Sequence, residues 1–229
     1  MSDPEIENLS KDATRTRLLE AAGEVFAEVG FQRATIREIC QRAGANIAAV
    51  NYHFRDKEGL YVEVARYAQE CSLQRHPEGP PPGVAGAPPE VRLRMFIYSF
   101  LQRAIGKDRL AWHGKLMAKE MSEPTAMLDR VVANEIRPRA TMLEGIIREI
   151  LGPDTPQWRI EASARSIVSQ CVFYHLCRPV IERLHPNQKY EASDVEQLAD
   201  HITAFSLNGL QGIKSGTEGA SETARGRAG

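Results

Sequence analysis

A segment rich in proline and glycine, about a third of the way along the chain, constrains the fold more than any other feature. HPEGPPPGVAGAPPE, residues 76–90, holds six prolines and three glycines. Proline lacks a backbone donor and glycine is entropically costly to order, so this composition suits neither a helix interior nor a central strand. We predict a linker or long surface loop over residues 76–90, which divides the 229-residue chain into two unequal parts.

Both parts show the apolar spacing of helices. Between Leu18 and Val29, apolar residues recur at intervals of three and four and form a single stripe. No segment combines strand-like alternation with flanking hairpin turns. We therefore predict an all-α fold with this division: a flexible amino terminus at 1–11, a small helical domain at 12–75, the linker at 76–90, a larger helical bundle at 91–213 and a disordered tail at 214–229.

Charge and composition exclude several classes of function. Lys and Arg number 29 against 30 Asp and Glu, a net charge of −1, so the chain does not coat nucleic acid by bulk charge. No apolar run approaches the roughly 20 residues of a membrane span, and the start has no apolar signal core, so we expect no membrane partner and a cytoplasmic, bacterial protein.

The sequence also lacks recognisable catalytic and metal-binding patterns. It contains no glycine-rich phosphate loop, zinc-protease motif or nucleophile elbow, so we predict no catalytic residue, metal or cofactor. The spacing of Cys40, Cys71, Cys171 and Cys177 matches no zinc pattern. We interpret the four as small buried side chains in a reducing compartment, with a redox switch as the alternative.

Two short helices joined by a glycine-containing turn are predicted between residues 35 and 53. Thr35 and Glu38 form a capping box for a helix that ends at Arg42, Gly44 breaks it, and Asn46 caps a helix over residues 47–53. This arrangement is typical of a helix-turn-helix, whose second helix enters the DNA major groove. An ordinary solvated helical hairpin has the same spacing.

A local excess of positive charge accompanies this motif. Between Phe31 and Lys57, five cationic side chains stand against Glu38 and Asp56; the five are Arg33, Arg37, Arg42, Arg55 and Lys57. A near-neutral chain can therefore still present a positive patch to DNA at this one place.

Residues 14–62 resemble the DNA-binding domain of the TetR family of bacterial transcription regulators. The resemblance rests on AAGEVF from Ala21, GF at Gly30, TIREI from Thr35, AG at Ala43, YHF from Tyr52 and KEGL from Lys57. The string NIAAVNYHF resembles the CecR-like subgroup. The resemblance implies a three-helix helix-turn-helix domain joined to a larger carboxyl-terminal helical bundle that binds a ligand and forms a homodimer.

The resemblance and the side-chain chemistry together give a set of DNA-binding candidates. Thr35 and Arg37 suit phosphate contacts, Arg37 also suits a guanine edge, and Asn51 can pair with adenine. By resemblance, Tyr52, His53 and Lys57 bind phosphates. The full set is Thr35, Ile36, Arg37, Asn46, Ile47, Ala48, Ala49, Asn51, Tyr52, His53 and Lys57, with Val50 and Phe54 expected in the core.

The recognition helix departs from the family pattern at two positions. Many members carry a hydroxyl side chain where this chain has Ala49, and a tyrosine where it has Asn51. This departure puts the family's usual base contacts in doubt. It implies a different operator sequence and not a different activity.

The second part supplies candidate ligand-binding and dimer residues. A pocket is predicted to involve Phe96, Phe100, His113, Met117, Met121, Phe173, Tyr174 and His175, and the alternative is that these side chains only fill the core. A dimer face is predicted at Leu198, Ile202, Phe205 and Gly209, although spacing alone does not separate it from ordinary core.

The predicted function is that of a ligand-responsive transcriptional regulator. The expected partners are double-stranded operator DNA, an apolar or drug-like small molecule and a second copy of the chain. The small molecule is expected to release a repressor from its operator. The alternatives are an all-α enzyme and an interaction module with a vestigial helix-turn-helix.

Overall fold

The computed structural model describes residues 3–75, 86–106, 112–187 and 189–225. These residues form eleven α-helices and a π-helical turn, and no strand occurs among them. The elements are α1 Asp3–Arg33, α2 Ile36–Ala43, α3 Ile47–Phe54, α4 Lys57–Arg75, α5 Pro89–Ile105, α6 His113–Ser122, α7 Ala126–Val131, the π-helical Val132–Ile136, α8 Arg137–Leu151, α9 Gln157–Leu176, α10 Arg178–Leu184 and α11 Ala192–Arg225. The predicted all-α class is confirmed. None of the described helices is both long and apolar enough to span a membrane.

Local capping sets the bounds of α2 and α3. The Thr35 hydroxyl accepts a hydrogen bond from the Glu38 backbone N–H at 3.2 Å, and Asn46 Oδ1 accepts from the Ala48 N–H at 3.0 Å. Between the helices, Gly44 adopts a left-handed conformation (φ 60°, ψ 41°), which glycine reaches without a steric penalty. Both predicted helix starts are therefore confirmed.

The first helix is longer than its apolar stripe. The stripe predicts a helix from about Thr14 to Val29, whereas α1 begins at Asp3 and ends at Arg33. Gly30 interrupts it with φ 82° and ψ 163°. Glycine adopts this positive φ readily because it has no Cβ to clash with the backbone.

The last helix likewise enters a segment whose composition predicts disorder. The backbone of α11 stays helical to Arg225, although disorder is predicted from residue 214. Extending an existing helix costs far less than starting one, so small polar residues can continue it. Residues 76–85 of the predicted linker and the last four residues of the predicted tail lie outside the described part of the chain.

The chain forms two compact units, and the first is discontinuous in sequence. It combines Met1–Arg75 with Arg109–Asn134, so α6 and α7 belong with α1 to α4. Trp112, Leu116, Met127 and Val131 are buried in the same core as Leu18, Phe26 and Leu60. The predicted division assigned residues 109–134 to the second domain, because the stretch gives no sequence signal of its return to the first core.

A buried carboxylate joins α4 to α6 and α7 in this unit. Glu120 is 1% exposed and accepts hydrogen bonds from the Tyr61 hydroxyl and from the backbone N–H and hydroxyl of Thr125. Burial, followed by the bond to Glu120, raises the pKa of Tyr61. A buried carboxylate is tolerated only when its oxygens are bonded in this way.

The second unit contains α5 and α8 to α11. It spans His76–Asp108 and Glu135–Gly229, and α11 makes its most extensive contacts with α5. Its core is aliphatic and includes Leu93, Ile97, Leu101, Leu143, Ile147, Ile160, Cys171, Ala199 and Ile202.

Candidate nucleic-acid interface

The helix-turn-helix is fixed to the first core by one face of each short helix. Ile39, Cys40 and Ala43 anchor α2, and Val50 and Phe54 anchor α3. All five side chains are at most 7% exposed. The two core positions predicted in α3 are the two that the structure buries.

The opposite face of α3 is open to solvent. Tyr52 is 69% exposed and Ile47 48% exposed, while Asn46, Ala48 and Asn51 are also exposed. Ala49 is half-buried and packs against the core. Most of the residues predicted to read DNA thus share one uncovered surface, on which small alanines allow a close approach to bases.

The start of α2 places two of the predicted phosphate contacts beside each other. Thr35 and Arg37 are both exposed, and the Arg37 side chain makes no hydrogen bond or ion pair with any described residue. Ile36, between them, is half-buried and packs against the core. Its side chain therefore serves the fold, and only its backbone suits a contact with DNA.

Two of the five cationic side chains are occupied within the protein. Arg42 donates two hydrogen bonds of 2.9 Å to the Glu28 carboxylate and lies 3.6 Å from Glu24 and 3.9 Å from Glu38. The hydrogen bond from Arg42 lowers the pKa of Glu28. Arg42 therefore adds little positive potential to the surface predicted to face DNA.

Lys57 is occupied in a different way. Its ammonium donates to the backbone carbonyls of Phe31, Ala34 and Gln32 at 2.9, 3.1 and 3.5 Å, and it stands 4.5 Å above the Phe31 ring. These carbonyls lie at and just beyond the carboxyl end of α1, where a cation is favoured. The ammonium predicted to bind phosphate holds α4 to α1 in this structure.

Three arginines remain as the positive groups of the surface: Arg33, Arg37 and Arg55. The Arg33 side chain uses only its Nε, in a 3.0 Å bond to the Val29 carbonyl, and the Arg55 side chain has no hydrogen-bond or ion-pair partner among the described residues. Arg55 follows the last residue of α3 with a positive φ of 73°. It is absent from the DNA-binding candidates, although its place next to YHF could have suggested it.

The aromatic pair at the end of α3 is partly preorganised. The rings of Tyr52 and His53 are 4.9 Å apart and nearly perpendicular, at 83°. His53 is half-buried and Tyr52 exposed. Edge-to-face packing restricts both rings, so the Tyr52 hydroxyl is presented to solvent at a low cost in side-chain entropy.

The predicted ligand-binding residues are divided between the two units. His113, Met117 and Met121 belong to the first unit, where Met117 packs on the core and Met121 is exposed. The others belong to the second unit, where Phe96 is buried, Phe100 and Tyr174 pack on the core, His175 is half-buried and Phe173 is exposed. The pocket stays a prediction.

The predicted dimer stripe also separates into two kinds of residue. Ile202 is buried in the second core and Leu198 packs against it, whereas Phe205 is 65% exposed and Gly209 is exposed. Val195, Ala199 and Ile202 lie on the face of α11 that is buried in the core, and Phe205 lies on a different face of the same helix. Only the second half of the stripe faces outward, and the dimer face stays a prediction.

Family models match both parts of the chain. Residues 18–64 match the model of bacterial regulatory proteins of the tetR family, and residues 89–210 match the carboxyl-terminal domain of the HTH-type transcriptional dual regulator CecR. The second match alone covers more than half of the chain.

Individual relatives agree with these matches. The dual regulator CecR of Shigella flexneri is 26% identical over 191 residues, which are 79% of this chain and 83% of CecR. The transcriptional repressor AcnR of Corynebacterium diphtheriae is 36% identical over 63 residues, 28% of this chain and 33% of AcnR.

The fold also matches a solved structure. A crystal structure of a transcriptional regulator from Rhodococcus sp. Rha1 has a TM-score of 0.61 at 22% identity and covers 85% of this chain and 96% of that one. The helix-turn-helix, its open recognition face and both family matches lead to one assignment: the chain belongs to the TetR family of DNA-binding transcriptional regulators, with a CecR-type carboxyl-terminal domain.

Proposed function

We propose that the chain is a homodimeric repressor that binds operator DNA through α3 and the start of α2, and is released by a small molecule. The observation that carries the DNA-binding surface is the uncovered face of α3, whose opposite face is buried in the core. An α-helix supported on one side only, with small and amide side chains outward, suits a major groove.

The proposed contacts have distinct tasks. Arg33, Arg37 and Arg55 supply positive charge for phosphates, and Tyr52 adds a hydroxyl. Asn51 and Ala48 read bases, by an amide pair with adenine and by methyl contact with thymine. One short helix discriminates few base pairs, so two copies on paired half-sites are needed for useful specificity.

Binding can be measured by fluorescence anisotropy with a labelled fragment from upstream of the protein's own gene. Arg37→Ala should weaken binding about tenfold or more, and it should reduce the slope of log K against log salt if Arg37 contacts a phosphate. Arg42→Ala is the matched control, because it removes an arginine of the same helix that is bonded to Glu28. We expect Arg42→Ala to stay within about threefold of wild type.

Equal losses in the two variants would contradict the proposed surface. They would indicate that the surface responds to net charge and not to particular side chains. Unchanged binding in Arg37→Ala would remove Arg37 from the interface.

The repressor role is supported by the name of the relative AcnR, which matches in the DNA-binding part. CecR, which matches along most of the chain, is a dual regulator, so the sign of regulation needs a direct test. If the protein is a repressor, a reporter placed behind its own promoter should become more active when the gene for the protein is deleted. If the protein is an activator, the same deletion should make the reporter less active.

The ligand is proposed to bind in the second unit, where Phe100 and Tyr174 pack against the core and are partly exposed. A ligand releases DNA only by binding more tightly to a conformer in which two recognition helices no longer match the half-sites. A panel of apolar, drug-like compounds should contain inducers of the reporter. Tyr174→Ala should lose the response while it still represses.

A dimer is proposed to form through the outward faces of α9 and α11. Phe173 and Leu176 on α9 are 52% and 50% exposed, and Phe205 on α11 is 65% exposed. A hydrogen bond of 3.3 Å from Gln170 to Ser206 brings these stretches of the two helices side by side. Large apolar side chains exposed on adjacent helices are typical of a protein interface.

A further inference from the structure

The connection between α3 and α4 is short and its backbone is constrained. Only Arg55 and Asp56 separate Phe54, the last residue of α3, from Lys57, the first residue of α4. Arg55 has φ 73° and ψ −52°, close to a rare γ-turn that is strained for a residue with a side chain. Its backbone N–H donates to the Asn51 carbonyl at 3.2 Å, so the turn is tied to the recognition helix. The position of α4 therefore limits where α3 can lie.

Gly59 brings the first turn of α4 against the end of α3. A Cβ placed on Gly59 would lie 2.1 Å from the carbonyl oxygen of Phe54 and 3.3 Å from its carbonyl carbon. Both atoms belong to the backbone, so a side chain at this position fits only if the end of α3 moves away. Gly59 has no positive φ, and alanine is the better helix former, so the close approach and not the backbone conformation requires glycine here.

The first turn of α4 is firmly anchored. Asp56 Oδ1 accepts a hydrogen bond from the Gly59 backbone N–H at 2.7 Å, and the Asp56 carbonyl accepts one from the Leu60 N–H at 3.0 Å. The Leu60 side chain is fully buried in the core, and the Lys57 ammonium is bonded to a carbonyl at the end of α1. A side chain added at position 59 would therefore displace α3 more readily than α4.

The recognition helix has a weaker hold on the core. It contains eight residues, of which Val50 and Phe54 are the buried ones. Phe54 carries the carbonyl that Gly59 approaches, so a shift at this point moves one of the two anchors of α3. Hydrogen bonds to base edges weaken steeply with distance and angle, so even a small rotation of α3 impairs the reading of bases.

We propose that Gly59 is a positioning residue for DNA recognition. Its missing side chain lets α4 lie against the Phe54 carbonyl, which fixes the orientation in which Asn51 and Ala48 meet the bases. The proposal rests on the DNA-binding surface proposed above and adds a residue that acts through α3 and not by a contact with DNA. Because the arginines of that surface are unchanged, loss of the glycine affects sequence preference and not the attraction to phosphates.

Fluorescence anisotropy of the full-length protein with two labelled duplexes tests the proposal. One duplex is the fragment from upstream of its gene, and the other is a scrambled fragment of the same length. Gly59→Ala should lower the ratio of the two affinities about tenfold or more, the effect of losing about one bidentate base contact. Its affinity for the scrambled fragment should stay within about twofold of wild type.

Gly23→Ala is the matched control, because it also overpacks the first unit but does so between α1 and α6. A Cβ on Gly23 would meet the Trp112 ring, away from α3. Loss of folded protein lowers the apparent affinity for both duplexes by the same factor, so Gly23→Ala should keep the wild-type affinity ratio within about twofold. A fall in the ratio thus separates a positioning role from a loss of stability.

Hydrogen exchange tests the hold on α3 without DNA. In Gly59→Ala the amides of residues 47–54 should exchange about fivefold faster relative to those of residues 36–43 in α2, because one anchor of α3 is displaced. A wild-type value of either this relative rate or the affinity ratio in Gly59→Ala overturns the proposal. A wild-type protein that does not prefer the upstream fragment contradicts the proposed operator binding instead, and the relative exchange rate then decides alone for Gly59.

A second pair of variants covers the case in which Gly59→Ala does not fold. Asp56→Ala and Asp56→Asn remove the same charge, but only Asp56→Ala removes the oxygen that accepts from the Gly59 N–H. Asp56→Ala should have an affinity ratio about threefold below that of Asp56→Asn and a faster relative exchange of α3. Equal values in these two variants overturn the proposal.

Discussion

At the scale of single residues, Lys57 shows how a family role and a structural role can fall on one side chain. Its ammonium has three N–H donors, and three carbonyls at the end of α1 lie within reach. Because those carbonyls have few other partners at a helix end, removing the ammonium leaves polar groups unsatisfied. The side chain therefore contributes to stability whether or not it also meets a phosphate.

Lys57→Met should lower the free energy of unfolding of the full chain by about 1–2 kcal/mol, because it leaves two partly buried carbonyls and one exposed carbonyl without their donor. Urea denaturation followed by circular dichroism measures this loss. The control is Arg37→Met, which removes a cation without a hydrogen bond or ion pair to a described residue, and its stability should match wild type within about 0.5 kcal/mol. Wild-type stability in Lys57→Met, together with weaker DNA binding, would favour the phosphate role instead.

Cys171 provides a prediction about pH. Burial raises the pKa of its thiol to about 12, from an ordinary thiol value of 9.0. Between pH 9 and pH 12 the thiol is ionised in the unfolded chain but still protonated in the folded chain. The free energy of unfolding is therefore unaffected by this group below about pH 9 and falls as the pH rises towards 12. The thiolate is scarce in the folded protein at pH 8.

Titration with a disulfide reagent such as Ellman's reagent at pH 8 should therefore distinguish the four free cysteines. The half-buried Cys71 and Cys177 should react in the native protein, while the buried Cys40 and Cys171 should react only after unfolding. Rapid reaction of all four thiols in the native state would contradict this assignment.

At the scale of elements, the sequence predicts those features of a helix, such as its start and its buried face, that depend on residues close together in the chain. The caps at Thr35 and Asn46 act within three residues, and the burial of Val50 and Phe54 follows from the spacing of one short helix. The partners of Arg42 and Lys57 lie far along the chain, on α1 and just beyond it. A count of charges in the motif therefore overestimates its free positive groups.

The packing of α1 on α6 has a narrow steric tolerance. A Cβ placed on Gly23 would lie 2.4 Å from Cε2 of Trp112, so no larger side chain fits without moving the indole. Gly23→Ala should destabilise the protein by about 1–3 kcal/mol, the usual cost of overpacking. Trp112→Phe, combined with Gly23→Ala, should restore part of that loss.

Gly145 in α8 is the matched control for this substitution. Apart from its chain neighbours and the backbone of its own helix, no atom lies within 4 Å of the position that its Cβ would take. Gly145→Ala should therefore stabilise the protein by about 0.5–1 kcal/mol through helix propensity. Opposite signs for the two changes in a urea or thermal melt are expected, and a stabilised Gly23→Ala variant would contradict the packing.

At the scale of the whole molecule, apolar periodicity was sufficient to predict the helical class but not which helices share a core. The segment 112–131 carries four side chains of the first core, yet its position beyond the linker suggested the second domain. The return of a chain to an earlier core is a long-range contact, which a periodic pattern does not contain. Likewise, the stripe on α11 combined a core residue with exposed ones.

The assembly state depends on the exposed aromatic side chains of the second unit. Phe205→Glu places a charge on the proposed dimer face and should shift the protein from dimer to monomer in sedimentation equilibrium, because a buried unpaired charge costs several kcal/mol. Met142→Glu is the matched control, since Met142 is also exposed and lies on α8, outside the proposed dimer face. A dimer that persists in Phe205→Glu would place the interface elsewhere.

The discontinuity of the first unit matters to anyone who builds hybrid regulators from this chain. Joining residues 1–75 to another sensor would give the recognition helices to the new protein but leave behind Trp112, Leu116, Met127 and Val131. The graft would expose the apolar surface that those four side chains cover. A transferable DNA-binding unit must carry residues 109–134 with it, so its exchange needs three junctions and not one.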